Sequence, residues 1–203
     1  MSQPQHFDEF YLMGGDLYCL VENKIFRIHR YFFKREAGVP AMPGAPRIGT
    51  SDDNAIVLDN VRSTDFAKLL WVFYNPKYSL YDATVEDWST ILGLAHRWDF
   101  AEVKSLAVRE IEKLQMPDIE RIVLYHQLKV DEDYLIPHYA AVCVRPELLT
   151  VEEGLRLGMK IVIPLSRARE CVRNVGANGS RSPSPTGLGT KKLDDIIKSF
   201  WKF

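Results

Sequence analysis

The first thirty residues alternate between short apolar runs and polar breaks. Residues 1–9, MSQPQHFDE, are mostly polar and predict a flexible arm. Residues 10–21 are apolar and rich in aromatic side chains, interrupted by Gly14-Gly15, which predicts a turn and then a strand over 16–21. Glu22-Asn23-Lys24 supplies a polar turn, and Ile25, Phe26 and Ile28 a second strand, so the pair reads as a hairpin. A short helix over 29–36 follows, with Tyr31, Phe32 and Phe33 as its apolar residues. Residues 37–54 change character. They hold Pro40, Pro43, Gly44 and Pro46 and few large apolar groups, too little burial to offset ordering entropy, which predicts a flexible loop before a strand at 56–58.

Beyond residue 60 the period becomes helical. Ser63 or Thr64 can cap a helix carrying Phe66, Leu69, Leu70 and Phe73, which Asn75-Pro76 ends. Thr84 with Asp87 forms a capping-box pattern ahead of Trp88, Ile91, Leu92 and Ala95. Residues 100–114 repeat the spacing with Val103, Leu106, Ala107, Val108 and Ile111. After Pro117, helices are expected over 119–128, 133–144, 151–158 and 161–173. The stretch 176–192 is rich in Gly, Ser and Pro and reads as a disordered linker. Residues 193–203 close the chain as an amphipathic helix with Leu193, Ile196, Ile197 and Phe200 on one face and Trp201 beside it.

Composition narrows the function classes. The chain has 203 residues, enough for one ordinary domain and an appendage or for two small ones, and a formal net charge of -1. No basic face stands out, which argues against direct nucleic-acid binding. No stretch approaches the roughly 20 apolar residues of a membrane span, and no basic-then-apolar leader opens the chain, so a cytoplasmic or nuclear protein is expected. Cys19, Cys143 and Cys171 are scattered and odd in number, which suits reduced thiols.

Motifs of catalysis and ligation are sparse. There is no Gly-x-Ser-x-Gly elbow and no His-Glu-x-x-His pair. Residues 187–191 only echo a phosphate loop and follow no strand. His126 and His138 lack the spacing of helical zinc ligands, and Asp131-Glu132-Asp133 reads as a capping turn. No catalytic residue, cofactor or metal site is expected, and the chain reads as a non-enzyme. Ser182 and Ser184, each before proline, are candidate phosphorylation sites or simply part of a spacer.

The segments Asp16-Leu17-Tyr18-Cys19-Leu20-Val21 and Phe26-Arg27-Ile28-His29-Arg30 resemble the opening of a BTB/POZ domain, in which a Phe-x-x-His-Arg/Lys motif joins a hairpin to the first core helix. The order of Ile56–Val61, Phe66, the Leu69–Tyr74 run and the Leu92–Phe100 run is similar to the family's later elements, and the wording from Trp71 to Pro76 resembles its expanded fungal set. The resemblance covers about residues 10–115. It implies an α+β BTB/POZ fold, a small sheet with a helical cluster, followed by an all-helical, BACK-like extension over 116–175. It further implies Phe26 in the core, and His29 buried at the strand-to-helix junction and bonded to backbone. Phe10, Tyr11, Leu12, Asp16 and Arg30 are the candidate dimer-interface residues.

By that resemblance the chain is a protein–protein interaction and self-association scaffold, a homodimer that engages a further, unidentified protein. Two alternatives stay open: a substrate adaptor of a cullin-3 ubiquitin ligase, and a transcriptional co-regulator acting through partners. Family members that recruit cullin-3 often carry a hydrophobic-x-Glu motif where this chain has the 37–54 loop. The terminal stripe Leu193, Ile196, Ile197, Phe200 and Trp201 either binds a partner's groove or docks on its own domain.

Overall fold

The computed structural model of the chain describes residues 3–36, 49–77, 80–175 and 190–201. The fold class is α+β, and the chain divides into two compact units, Met1–Gln115 and Met116–Phe203.

The first unit is built on strands β1 (Gln5–Tyr11), β2 (Leu17–Val21), β3 (Lys24–Ile28) and β4 (Ile56–Val57), in the order β1-β3-β2-β4. β2 and β3 form the expected hairpin, with Leu17 opposite Ile28 and Val21 opposite Lys24. The turn between them places Glu22 in the left-handed region at φ 55. Alternation along β2 buries Leu17, Cys19 and Val21 and leaves Tyr18 and Leu20 half-buried. β1 runs parallel to β3 with an irregularity between His6 and Tyr11, and β4 runs parallel to β2.

Two expectations for this unit are corrected. The flexible arm over 1–9 gives way to a strand from Gln5, because Gln5 N–H donates to Asn23 O and the backbone ladder to β3 holds residues whose side chains are mostly exposed. Of the loop over 37–54, residues 37–48 lie outside the described residues, while 49–54 are built into the sheet's edge. Tyr18 N–H donates to Gly49 O at 2.9 Å, and Gly49 N–H to Asn54 O at 2.6 Å. Gly49 is buried at φ +74, and a Cβ there would meet Ile56 Cγ1 at 2.9 Å, so only glycine fits without displacement.

Helices α1 (Arg30–Glu36), α2 (Ser63–Tyr74), α3 (Val85–Arg97) and α4 (Ala101–Glu112) complete the unit. Phe26 and Phe66 are fully buried and meet edge-to-face at 4.9 Å, and Phe33, Trp98 and Phe100 extend the aromatic core around them. Thr84 and Asp87 form the reciprocal capping box of α3. The start of α2 is different from expectation. Ser63 is its first residue, and the carboxylate of Glu22 accepts from both Ser63 N–H (3.0 Å) and Ser63 Oγ (2.7 Å).

The second unit is helical: α5 (Asp118–Gln127), α6 (Ile136–Val144), α7 (Val151–Leu157), α8 (Met159–Val175) and α9 (Thr190–Phe200). A single 3-10 turn at Glu132–Tyr134, capped by Asp131, leads into α6. Its core holds Ile122, Tyr125, Tyr139, Cys143, Leu165, Ala168 and Val172. Of the predicted linker over 176–192, residues 176–189, with Ser182 and Ser184, lie outside the described residues, and 190–192 already belong to α9. Residues 202 and 203 also lie outside them.

Candidate interaction surfaces

Of the expected dimer-interface residues, Asp16 and Arg30 meet at the start of α1. Asp16 is exposed, and its Oδ1 accepts Arg30 N–H at 2.8 Å, a side-chain cap on the helix. Arg30 Nη2 donates to Gly49 O at 3.3 Å, so both charged residues have roles within their own chain. Tyr11 is half-buried and donates to Asp52 at 3.1 Å, while His6 stacks on its ring and bonds the same carboxylate. Leu12 is half-buried and its N–H donates to Arg27 O. Phe10 is a correction. It is buried at 4% exposure and packs near Tyr74 within its own chain, because the β1 ladder turns it inward, so it offers little surface to a partner.

Phe26 is fully buried, as the motif implies. His29 is half-buried, and among the described residues its ring meets a side chain and not backbone. Its N–H donates to the Tyr74 hydroxyl at 2.8 Å and its Nδ1 lies 3.0 Å from the same oxygen. The phenol answers both groups because α2 ends there, and burial raises the Tyr74 pKa. Two large apolar side chains flank this junction in sequence and stand in solvent: Met13 at 96% and Tyr31 at 65% exposure. Met13 was not singled out in the sequence and Tyr31 stood there only as an apolar residue of the helix, since period alone does not tell an exposed apolar residue from a buried one.

In the second unit the terminal stripe is already occupied. α9 packs on α6 and α8, with Ile197 fully buried and Leu193 nearly so, while Ile196 and Phe200 are half-buried. Trp201 stacks flat on Tyr139 at 4.1 Å between ring centres, and Tyr139 in turn bonds His126. Of the two readings left open for Leu193, Ile196, Ile197, Phe200 and Trp201, a partner's groove or the chain's own domain, the packing of α9 is that of the second. Burial on its own unit outweighs exposure of so apolar a face.

A different apolar surface lies between α7 and α8. A cleft of about 530 Å³ opens there, lined by Val142, Leu148, Val151, Val162 and Leu165, with Arg169 and Arg173 at its polar wall. Arg169 is 7% exposed, and its guanidinium donates to the carbonyls of Val142, Arg145, Pro146 and Glu147 at 2.6–3.0 Å, closing the C-terminus of α6. The sequence signal for this surface was modest: Val151 and Leu155 share one face of α7 while Leu157, off that face, points to the core.

The Cys19 and Cys143 thiols are buried, which pushes both up to about 12 and keeps them protonated at neutral pH. Cys171 is exposed. Among the described residues no three His, Cys, Asp or Glu side chains gather as a metal site, and no helix is long and apolar enough to cross a membrane. No protein-family model, curated protein or solved structure matches the chain.

Proposed function

We propose that the chain is a non-enzymatic protein-interaction module of BTB/POZ type that self-associates through its first unit and engages a further protein through its helical, BACK-like second unit. The observation that carries self-association is the pair Met13 and Tyr31, both large, apolar and largely exposed, which flank in sequence the joined residues Asp16 and Arg30. Solvent-facing apolar side chains beside a helix start are covered at low cost by the same patch of a second copy, which a two-fold dimer supplies. The α+β fold and the full burial of Phe26 support the family resemblance.

The test is the absolute mass of the full chain by light scattering over a concentration series. A species of twice the 23.3 kDa chain mass is expected at micromolar concentration and above. Replacing Met13→Glu and Tyr31→Glu together changes only exposed positions and is expected to return the monomer. A wild-type chain that stays monomeric throughout would sink self-association. A dimer indifferent to the double substitution would remove this surface from it.

A further inference from the structure

We infer that the α7–α8 cleft of the second unit is a docking site for an acidic amphipathic helix of a partner protein. The inference deepens the proposed interaction role of this unit and rests on it.

The apolar side of the case is concentration. Leu148, Val151, Leu155, Met159 and Ile163 are 69%, 81%, 80%, 66% and 45% exposed, the first just ahead of α7 and the others on the packed helices α7 and α8. Elsewhere in the unit, among the described residues, only Tyr134 is a comparably exposed large apolar side chain. Scattered exposed leucines are ordinary; a run of them beside an apolar cleft marks an interaction surface. Val151 and Leu155 repeat at i, i+4 on α7, and Met159 and Ile163 do so on α8, so each helix presents a ridge. Gly154 lines the cleft, where a Cβ would touch nothing nearer than Val162 at 4.0 Å, and leaves the groove open. A third helix packs its own ridge into such a groove. A small ligand filling the cleft would still leave Leu155, Met159 and Ile163 wet, which favours the helix.

Charge selects the kind of helix. Arg169 and Arg173 line the cleft, and their hydrogen bonds run to carbonyl oxygens, Arg173 to Pro146 O at 3.3 Å. Among the described residues neither has a carboxylate within ion-pair distance, and the Nε of each is buried without a partner. Arg145, close by, differs: it is held by Glu153 in a two-pronged pair. Glu170 also lines the cleft and offsets one of the two positive charges, leaving an excess of one. A poorly solvated guanidinium without a carboxylate is improved by one, and an approaching basic helix would be repelled. Burial and the neighbouring arginines already lower the Arg169 pKa, the same electrostatic imbalance seen from the proton's side.

The experiment is a display library of helical peptides with apolar residues fixed at i, i+3, i+4 and i+7 and all other positions random, selected on the full chain. Selected peptides are expected to be enriched in Asp and Glu near one end. Their binding, read by fluorescence anisotropy, is expected to weaken at least tenfold in a Val151→Asp, Leu155→Asp variant, whose substitutions fall on exposed positions and leave the fold intact. Arg173→Glu is expected to weaken acidic peptides and to strengthen their lysine-substituted counterparts. Selection of neutral or basic peptides, no selection at all, or binding unchanged in the variants overturns the inference. So does variant-sensitive binding to phosphatidylserine vesicles in place of peptides, which would make the surface a membrane contact. Light scattering on the Val151→Asp, Leu155→Asp variant separates the two readings: a dimer that persists while peptide binding fails leaves self-association standing and removes only the docking site.

Discussion

The second unit carries two apolar surfaces of opposite fate. The seat on α6 and α8 is covered by α9, which buries Leu193 and Ile197 and lays Trp201 on Tyr139. Among the described residues the cleft between α7 and α8 is uncovered; Val151 lines it and Leu155 follows one turn on, each about four-fifths exposed. Hydrophobicity does not separate them, since both are lined by aliphatic side chains. Polar groups do. At the seat the buried polar pair is neutral, Tyr139 with His126, and the Lys198–Asp133 ion pair lies at its exposed rim, whereas the cleft wall holds two guanidinium groups that are bonded to carbonyls and only partly offset by Glu170. A surface sealed in its own chain closes its hydrogen bonds internally; a surface kept for a partner leaves charge for the partner to meet.

The sharpest way to break this contrast is to remove Arg169, which both ends α6 and charges the cleft. Arg169→Leu keeps most of the buried volume but takes donors from four carbonyls. Those of Pro146 and Glu147 belong to exposed residues and regain water; that of Val142 is buried and does not. The expected loss is about 3 kcal/mol, the cost of a stranded buried acceptor together with lost charged hydrogen bonds. Denaturant unfolding followed by Trp201, the second unit's sole tryptophan, measures it. A change under about 0.5 kcal/mol, the size of an ordinary surface substitution, would mean that water serves those carbonyls as well as the arginine does.

The covered surface is tested by opening it. Ile197→Ala removes a fully buried side chain from α9 and is expected to cost about 2–3 kcal/mol, the usual range for a large-to-small core change in a helix that can partly relax. Hydrogen exchange is the suitable readout, because a helix at the end of the chain opens locally before the unit unfolds. Protection of amides in 193–200 should fall while that of α5 and α6 holds. Equal loss throughout would show that α9 is a structural member of the core, not a cover laid upon it.

Much of this architecture is written in local pattern, and what is not depends on distant pairs. The β2–β3 hairpin, the Thr84–Asp87 box and the helices from α5 to α8 follow from period and turn chemistry, each fixed by residues a few positions apart. β1 was invisible because an edge strand with mostly exposed side chains has no alternation to show. Glu22 capping α2 at Ser63, and Tyr74 answering His29, join residues 41 and 45 positions apart, beyond any local signal. The stripe on α9 was legible, but an amphipathic pattern says that a face needs covering and not by what. Arg169 was illegible for a related reason: a buried arginine and a solvated one occupy the same helical positions, and only the carbonyls it reaches tell them apart.

The smallest expected effect also divides the two surfaces, this time by pH. Burial lowers the pKa of His126, with Glu132 opposing, and the ring bonds the hydroxyl on which α9's tryptophan rests. A histidine whose folded pKa lies below its ordinary value of 6.5 stays neutral in the fold while the unfolded chain takes up a proton. Stability is therefore whole above that value and declines as pH falls from 6.5 toward the folded pKa. The arginines of the cleft do not titrate in this range, so peptide binding there should not follow the same curve. His126→Gln is expected to flatten the dependence between about pH 7 and 5, the window in which an ordinary histidine titrates, with α9 protection as the readout. If the wild-type and variant slopes coincide, the proton is taken up elsewhere and the seat owes its closure to packing alone.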